Sequence, residues 1–114
     1  MCSSDLELRL VDGAANPYLA AAAILAAGLD GVAHQREAGA LGDFNVYTDA
    51  HQASTLRKLP ETLLDALRHL ERNPLFADAL GAEFTAGYLK LKRAEWGDYN
   101  RHVTPWELQQ TLDC

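Results

Sequence analysis

The chain has 114 residues, room for one compact domain and no more. Nearly half of these residues are apolar, but many are alanine, which buries little area each, so a thin core with closely packed elements is expected. The formal net charge is −6, and Lys90, Lys92 and Arg93 sit among Glu83, Glu95 and Asp98, which excludes a nucleic-acid backbone as the main partner because such binding needs clustered cations.

Residues 1–6, Met-Cys-Ser-Ser-Asp-Leu, read like a translated sequencing adapter and are expected not to be natural protein. The fold is therefore read from 7–114. Leu6 to Val11 alternates apolar and polar side chains, the period of a strand with two faces. Leu6, Leu8 and Leu10 would face one way, and Glu7 and Arg9 the other. Asp12-Gly13 supplies turn chemistry. Asn16-Pro17 then opens a helix: Asn is a favoured cap, and Pro at the first helical position gives up only an orphan N–H. The alanine-rich pattern predicts helix from Tyr18 through Ala27, with Gly28 and Gly31 weakening its end.

Gly39 to Leu59 has little periodicity and reads as a long loop, a kind of segment that is often functional or docked on a neighbour. Thr62-Leu63-Leu64-Asp65 resembles a capping box with Asp in the acid position. The helix that follows places Leu63, Ala66, Leu67 and Leu70 on one stripe, and Asn73-Pro74 breaks it. A short helix from Leu75 to Leu80 ends at Gly81. The longest helix is expected from Glu83 to His102, with Phe84, Tyr88 and Leu91 on one stripe and Leu89, Trp96, Tyr99 and Val103 on the next. Thr104-Pro105-Trp106-Glu107 starts a last helix that runs to about Leu112. The chain thus reads as mostly α, with one N-terminal strand and four or five helices. A lone strand cannot satisfy its own backbone hydrogen bonds, so its partners are expected to belong to polypeptide outside this sequence.

The longest apolar run, Leu19 to Leu29, is about half of what a bilayer crossing requires, and no Lys/Arg-led secretory leader is visible. The two cysteines, Cys2 and Cys114, lie at opposite ends with no CxxC or Cys/His cluster. They read as unpaired thiols in a reducing cytoplasm, with a terminal disulfide as the alternative.

Two stretches resemble the catalytic domain of the glutamine synthetase family. The first is Glu7-Leu-Arg9, then Asn16-Pro-Tyr-Leu19, then Ala26-Ala-Gly-Leu-Asp-Gly31. The second is Leu80-Gly-x-Glu-Phe84 through Tyr88, Leu91-Lys92, Glu95-Trp96, Tyr99 and Thr104-x-Trp106-Glu107. Together they cover nearly everything from residue 7 onward. Asn45-Val46-Tyr47-Thr48, Lys58-Leu59-Pro60 and Thr111-Leu112-Asp113-Cys114 lean towards the branch of type III glutamate–ammonia ligases and γ-glutamylmethylamide synthetases. The resemblance implies the C-terminal part of an α+β catalytic domain. Its chemistry is ATP-dependent: the γ-carboxylate of glutamate is phosphorylated, and ammonia or a small amine then displaces phosphate. Mg²⁺ or Mn²⁺ would bridge nucleotide phosphates and acidic ligands. A γ-glutamylmethylamide or γ-glutamylpolyamine synthetase is one alternative, and a stand-alone helical interaction module without catalysis is another. The full-length family member is expected to be a cytoplasmic homo-oligomeric ring, and this segment alone to be inactive.

By the same resemblance, Glu7 matches a carboxylate that binds metal on the nucleotide side. Arg9 matches a catalytic arginine that contacts the glutamate substrate and its reacting carboxyl or phosphoryl group. A strand would put both on one face, roughly 7 Å apart. Arginine suits its role because the planar fork stays charged and binds carboxylate or phosphate at two points. Without the resemblance, Glu7 and Arg9 read as the solvent face of an edge strand.

Tyr47 lies near a tyrosine that some bacterial members nucleotidylate. The flanking Val46 and Thr48-Asp49 depart from their pattern, and a packed loop tyrosine is expected. The four histidines, His34, His51, His69 and His102, lack metal-ligand spacing and are read as surface residues. Trp96 and Trp106 are read as core or interface anchors.

Overall fold

A computed structural model describes residues 8–37, 39, 42, 44, 45, 47–54 and 56–111. Their order is α1 (Pro17–Ala33), α2 (Ala50–Ser54), α3 (Leu63–Arg72), α4 (Pro74–Leu80), α5 (Ala82–Tyr99) and α6 (Pro105–Thr111). The chain divides into two compact units, Met1–Ala38 and Gly39–Cys114.

In the first unit, the expected strand is not seen among the described residues. Residues 8–10 take no regular secondary structure and Val11 sits in a bend. The physical reason is the one that made the strand suspect: an alternating segment becomes a strand only where another strand completes its ladder. Asp12 then turns the chain, accepting the Ala14 N–H on Oδ1 at 2.8 Å and the Ala15 N–H on its carbonyl at 3.0 Å. Asn16 caps α1 as expected, its Oδ1 accepting from the N–H groups of Tyr18 at 3.0 Å and Leu19 at 3.2 Å.

α1 does not stop at Ala27. It continues through Gly28 and Gly31 to Ala33, because the hydrogen-bond ladder outweighs a glycine cost of about 1 kcal/mol each. The chain leaves the helix one turn later. Arg36 N–H donates to the Gly31 carbonyl at 2.9 Å and Gln35 N–H to the Val32 carbonyl at 3.1 Å, the paired bonds of a Schellman ending. The left-handed position, usually glycine, is Gln35 at φ 48°.

The second unit contains a helix that the loop reading of Gly39 to Leu59 passed over, the five-residue α2. One helical turn is too short to leave a periodic signature. Its other helices follow their capping signals. Thr62 Oγ1 accepts the Asp65 N–H at 3.2 Å. In the reverse direction the Asp65 carboxylate accepts from the Thr62 hydroxyl at 2.7 Å. Asn73 caps α4 through Leu75 N–H at 3.1 Å. Gly81, at φ 97°, is the single residue between α4 and α5, a backbone state glycine tolerates without penalty. Thr104 and Glu107 form a full capping box at α6: Thr104 N–H donates to Glu107 Oε2 at 2.7 Å, and Glu107 N–H to Thr104 Oγ1 at 3.2 Å.

Helices α3, α4 and α5 pack on one another. Leu67 on α3 is buried, with 2% of its surface exposed. Leu63 and Leu70, on its stripe, are half-buried. Thr85 on α5 is also buried, and its hydroxyl lies 3.0 Å from the Gly81 carbonyl and 3.3 Å from that of Phe76 on α4. Arg93 on α5 pairs with Glu71 on α3 at the surface at 2.5 Å, a contact worth little where solvent screens it.

Candidate functional site

Arg9 lies on the irregular segment ahead of the Asp12 turn, and it is exposed. Glu7, its expected companion, lies outside the described residues. The structure therefore places one member of the pair: a guanidinium three residues before an Asx turn that feeds directly into the capped start of α1. That arrangement fixes where the backbone goes after Arg9 through short local hydrogen bonds. It leaves the segment before the turn dependent on whatever packs beside it.

Among the described residues, no three His, Cys, Asp or Glu side chains come together as a metal cage. The histidines are all exposed. His34 Nδ1 lies 3.0 Å from Asp30 Oδ1, and Arg36 Nε donates to Asp30 Oδ2 at 3.0 Å. Asp30 thus ties the two residues that flank Gln35 at the end of α1. Arg36 also borders an open hollow, together with Gly28, Gly31, Val32, Gln35 and Glu37. The sequence reading missed this hollow.

The groups whose ionisation the fold perturbs serve helix ends and surface pairs. The Thr62 hydroxyl, with Arg68 next, holds the Asp65 carboxyl below its ordinary value. The Thr104 N–H, then its hydroxyl, does the same for Glu107. The Glu95 carboxylate raises Lys92.

Three aromatic expectations divide. Trp96 is half-buried against Tyr99, ring centroids 5.7 Å apart. Trp106 is 68% exposed and anchors no core among the described residues. Tyr47 is 93% exposed and not packed, which corrects the packed-loop reading; its N–H donates to Asn45 Oδ1 at 2.9 Å in a local turn. No helix of the described residues is long and apolar enough to cross a membrane.

A second feature was not anticipated. With about 100° of rotation per helical residue, Tyr18, Leu25, Leu29 and Val32 fall within an arc of about 60° on α1. They are 83%, 63%, 59% and 77% exposed, and no residue of α1 is buried. The half-buried positions, Leu19, Ala20, Ala22, Ala23, Ala26, Asp30 and Gly31, spread over about half of the helix beside it.

Comparison with known proteins gives this arrangement its context. The family model described as glutamine synthetase, catalytic domain, matches residues 2–111. The glutamine synthetase of Rhizobium meliloti (strain 1021) is 51% identical over 107 residues, which are 94% of this chain and 25% of that protein. The glutamate–methylamine ligase of Methyloversatilis universalis is 40% identical over 111 residues, 95% of this chain and 25% of its own. The solved structure of apo GmaS without ligand superimposes with a TM-score of 0.85 at 51% identity, covering 94% of this chain and 25% of that one. The chain spans about a quarter of the length of the curated relatives it matches. It belongs to the glutamine synthetase catalytic-domain family.

Proposed function

We propose that residues 7–114 are the C-terminal portion of the catalytic domain of an ATP-dependent ligase that joins glutamate to ammonia or a small amine through γ-glutamyl phosphate. The observation that carries this reading is the catalytic-domain match over nearly the whole chain. In it, the 8–11 segment becomes a strand when the rest of the domain supplies neighbours, and Arg9 then faces the substrate. Its guanidinium neutralises charge on the γ-carboxyl oxygens as they accept the phosphoryl group of ATP. It holds the same oxygens while the amine displaces phosphate. Glu7 contributes one carboxylate to the nucleotide-side Mg²⁺ or Mn²⁺, which would supply charge neutralisation when bound. The family resemblance implies that the remaining ligands come from polypeptide preceding this segment. The whole protein is proposed to be cytoplasmic and to assemble as a homo-oligomeric ring.

The test is a hybrid enzyme in which residues 7–114 replace the matching quarter of the Rhizobium meliloti relative. The hybrid is expected to turn over ATP with glutamate and ammonia. Arg9→Ala in it should lower kcat/KM by about 100-fold or more with folding unchanged, and Arg9→Lys should restore part of the loss. An Arg9→Ala hybrid within a factor of about two of the parent would remove Arg9 from the site.

A second acceptor is favoured by one observation, the 40% identity to a glutamate–methylamine ligase. In that reading the product is a γ-glutamylmethylamide. The ratio of kcat/KM for methylamine to that for ammonia should move when residues 7–114 are exchanged in. An unmoved ratio places acceptor choice outside this chain.

A further inference from the structure

We propose that Asp12 is a positioning residue for Arg9, setting where the guanidinium stands by closing the turn that joins its segment to α1. This rests on the proposed function, because it takes Arg9 to contact the reacting carboxyl. Asp12 lies three residues beyond Arg9 and offers two acceptors to successive N–H groups. Its Oδ1 takes the Ala14 N–H at 2.8 Å and its carbonyl takes the Ala15 N–H at 3.0 Å, so a side-chain turn and a backbone turn are superposed on residues 12–15. Asn16 follows at once. Its Oδ1 takes the N–H groups of Tyr18 and Leu19, and its carbonyl takes that of Ala20 at 2.9 Å. From Asp12 to the first turn of α1, the path of the chain is set by bonds that need no distant partner.

Residues 8–10 take no regular secondary structure within this chain, so the turn fixes the end from which Arg9 is held. In extended chain, three residues span about 10 Å, and a change of about 10° in direction at Asp12 would carry Arg9 roughly 1.7 Å. A displacement of about 1 Å at a reacting centre can cost on the order of 100-fold in rate. Slippage acts more strongly still: side chains alternate between faces, so a shift of one residue turns Arg9 away from its site. The shape of the Asp12 side chain matters here more than its charge. An Asp or Asn oxygen reaches the N–H two residues on and closes the Asx ring. Alanine has no acceptor, and glutamate keeps the charge but adds a methylene to the ring.

The test follows steady-state kinetics and urea unfolding of the hybrid in which residues 7–114 replace the matching quarter of the Rhizobium meliloti relative. Asp12→Ala is expected to lower kcat by about 10-fold or more, with KM for ATP within about twofold of the parent and the urea midpoint little changed. Asp12→Asn should stay within about threefold of the parent, and Asp12→Glu should fall with the alanine variant. In an Arg9→Ala background, Asp12→Ala should cost less than about twofold more, because the group it positions is gone. The positioning role is overturned if Asp12→Ala is silent while Arg9→Ala is severe, if glutamate restores turnover and asparagine does not, or if the losses at the two positions multiply. Where Asp12→Ala does not fold, the order of Asp12→Asn and Asp12→Glu decides in the same way. Loss of folding in both the alanine and glutamate variants makes Asp12 a structural residue and overturns the role as well. A parent hybrid without turnover, or an Arg9→Ala hybrid as active as the parent, counts against the proposed function and removes the positioning role with it.

Discussion

Leu67 on α3, a helix packed against α4 and α5, keeps 2% of its surface in solvent, whereas Leu25 and Leu29 on α1 keep 63% and 59%. Both helices are capped by the residue the sequence names, Thr62 for α3 and Asn16 for α1. The difference is therefore not in helix formation. It lies in the packing within each unit: the second folds three helices onto one another, whereas among the described residues of the first the stripe of α1 has no helix packed on it. A segment can be locally complete and still lack a core.

The largest expected effect breaks the comparison at its buried end. Leu67→Ala should destabilise the second unit by about 2–5 kcal/mol, read by urea unfolding with Trp96 fluorescence. Leu29→Ala in the same chain should change stability by no more than about 0.5 kcal/mol. Equal losses at the two positions would mean that the two units do not differ in the way their exposures indicate.

Gln35→Gly sharpens the other side. Gln35 holds the left-handed position of the ending of α1 at φ 48°, where a side chain is strained. Glycine there should stabilise α1 by about 0.5–1 kcal/mol, seen as slower amide exchange in its last turn. Faster exchange would indicate that the Gln35 side chain contributes more than its backbone costs.

The smallest effect is confined to α6. Glu107 is held below its ordinary value near 4.5, first by the Thr104 N–H and then by the Thr104 hydroxyl. A carboxylate whose folded value is depressed adds stability above the unfolded value and loses it as pH falls through the folded one. Acidification below about pH 4.5 should therefore fray α6, visible at the Thr104 and Glu107 amides by NMR. Glu107→Gln should remove that pH dependence. Asp65 acts with the same sign at the start of α3.

What could be read without coordinates has a common character. Asn16, Thr62, Asn73, Gly81 and the Thr104–Glu107 box each act over two to four residues, and each is found where its sequence signal put it. The family resemblance was legible for a similar reason, because short motifs in fixed order survive without any knowledge of packing. The end of α1 was misread since Gly28 and Gly31 looked like stop signals, and a glutamine took the role. α2 was too short to show a period.

The candidate site was legible only as residue types. The sequence alone supplied Arg9, the capped helix behind it and the alternation around it. Tertiary structure decided that residues 8–11 are irregular within this chain, that Tyr47 and Trp106 face solvent, and that α1 carries an open apolar stripe. Caps and turns close their hydrogen bonds with near neighbours in the chain, so sequence suffices for them. Strands and burial are completed by groups distant in sequence or on other polypeptide, and only the assembled fold determines whether those groups are there.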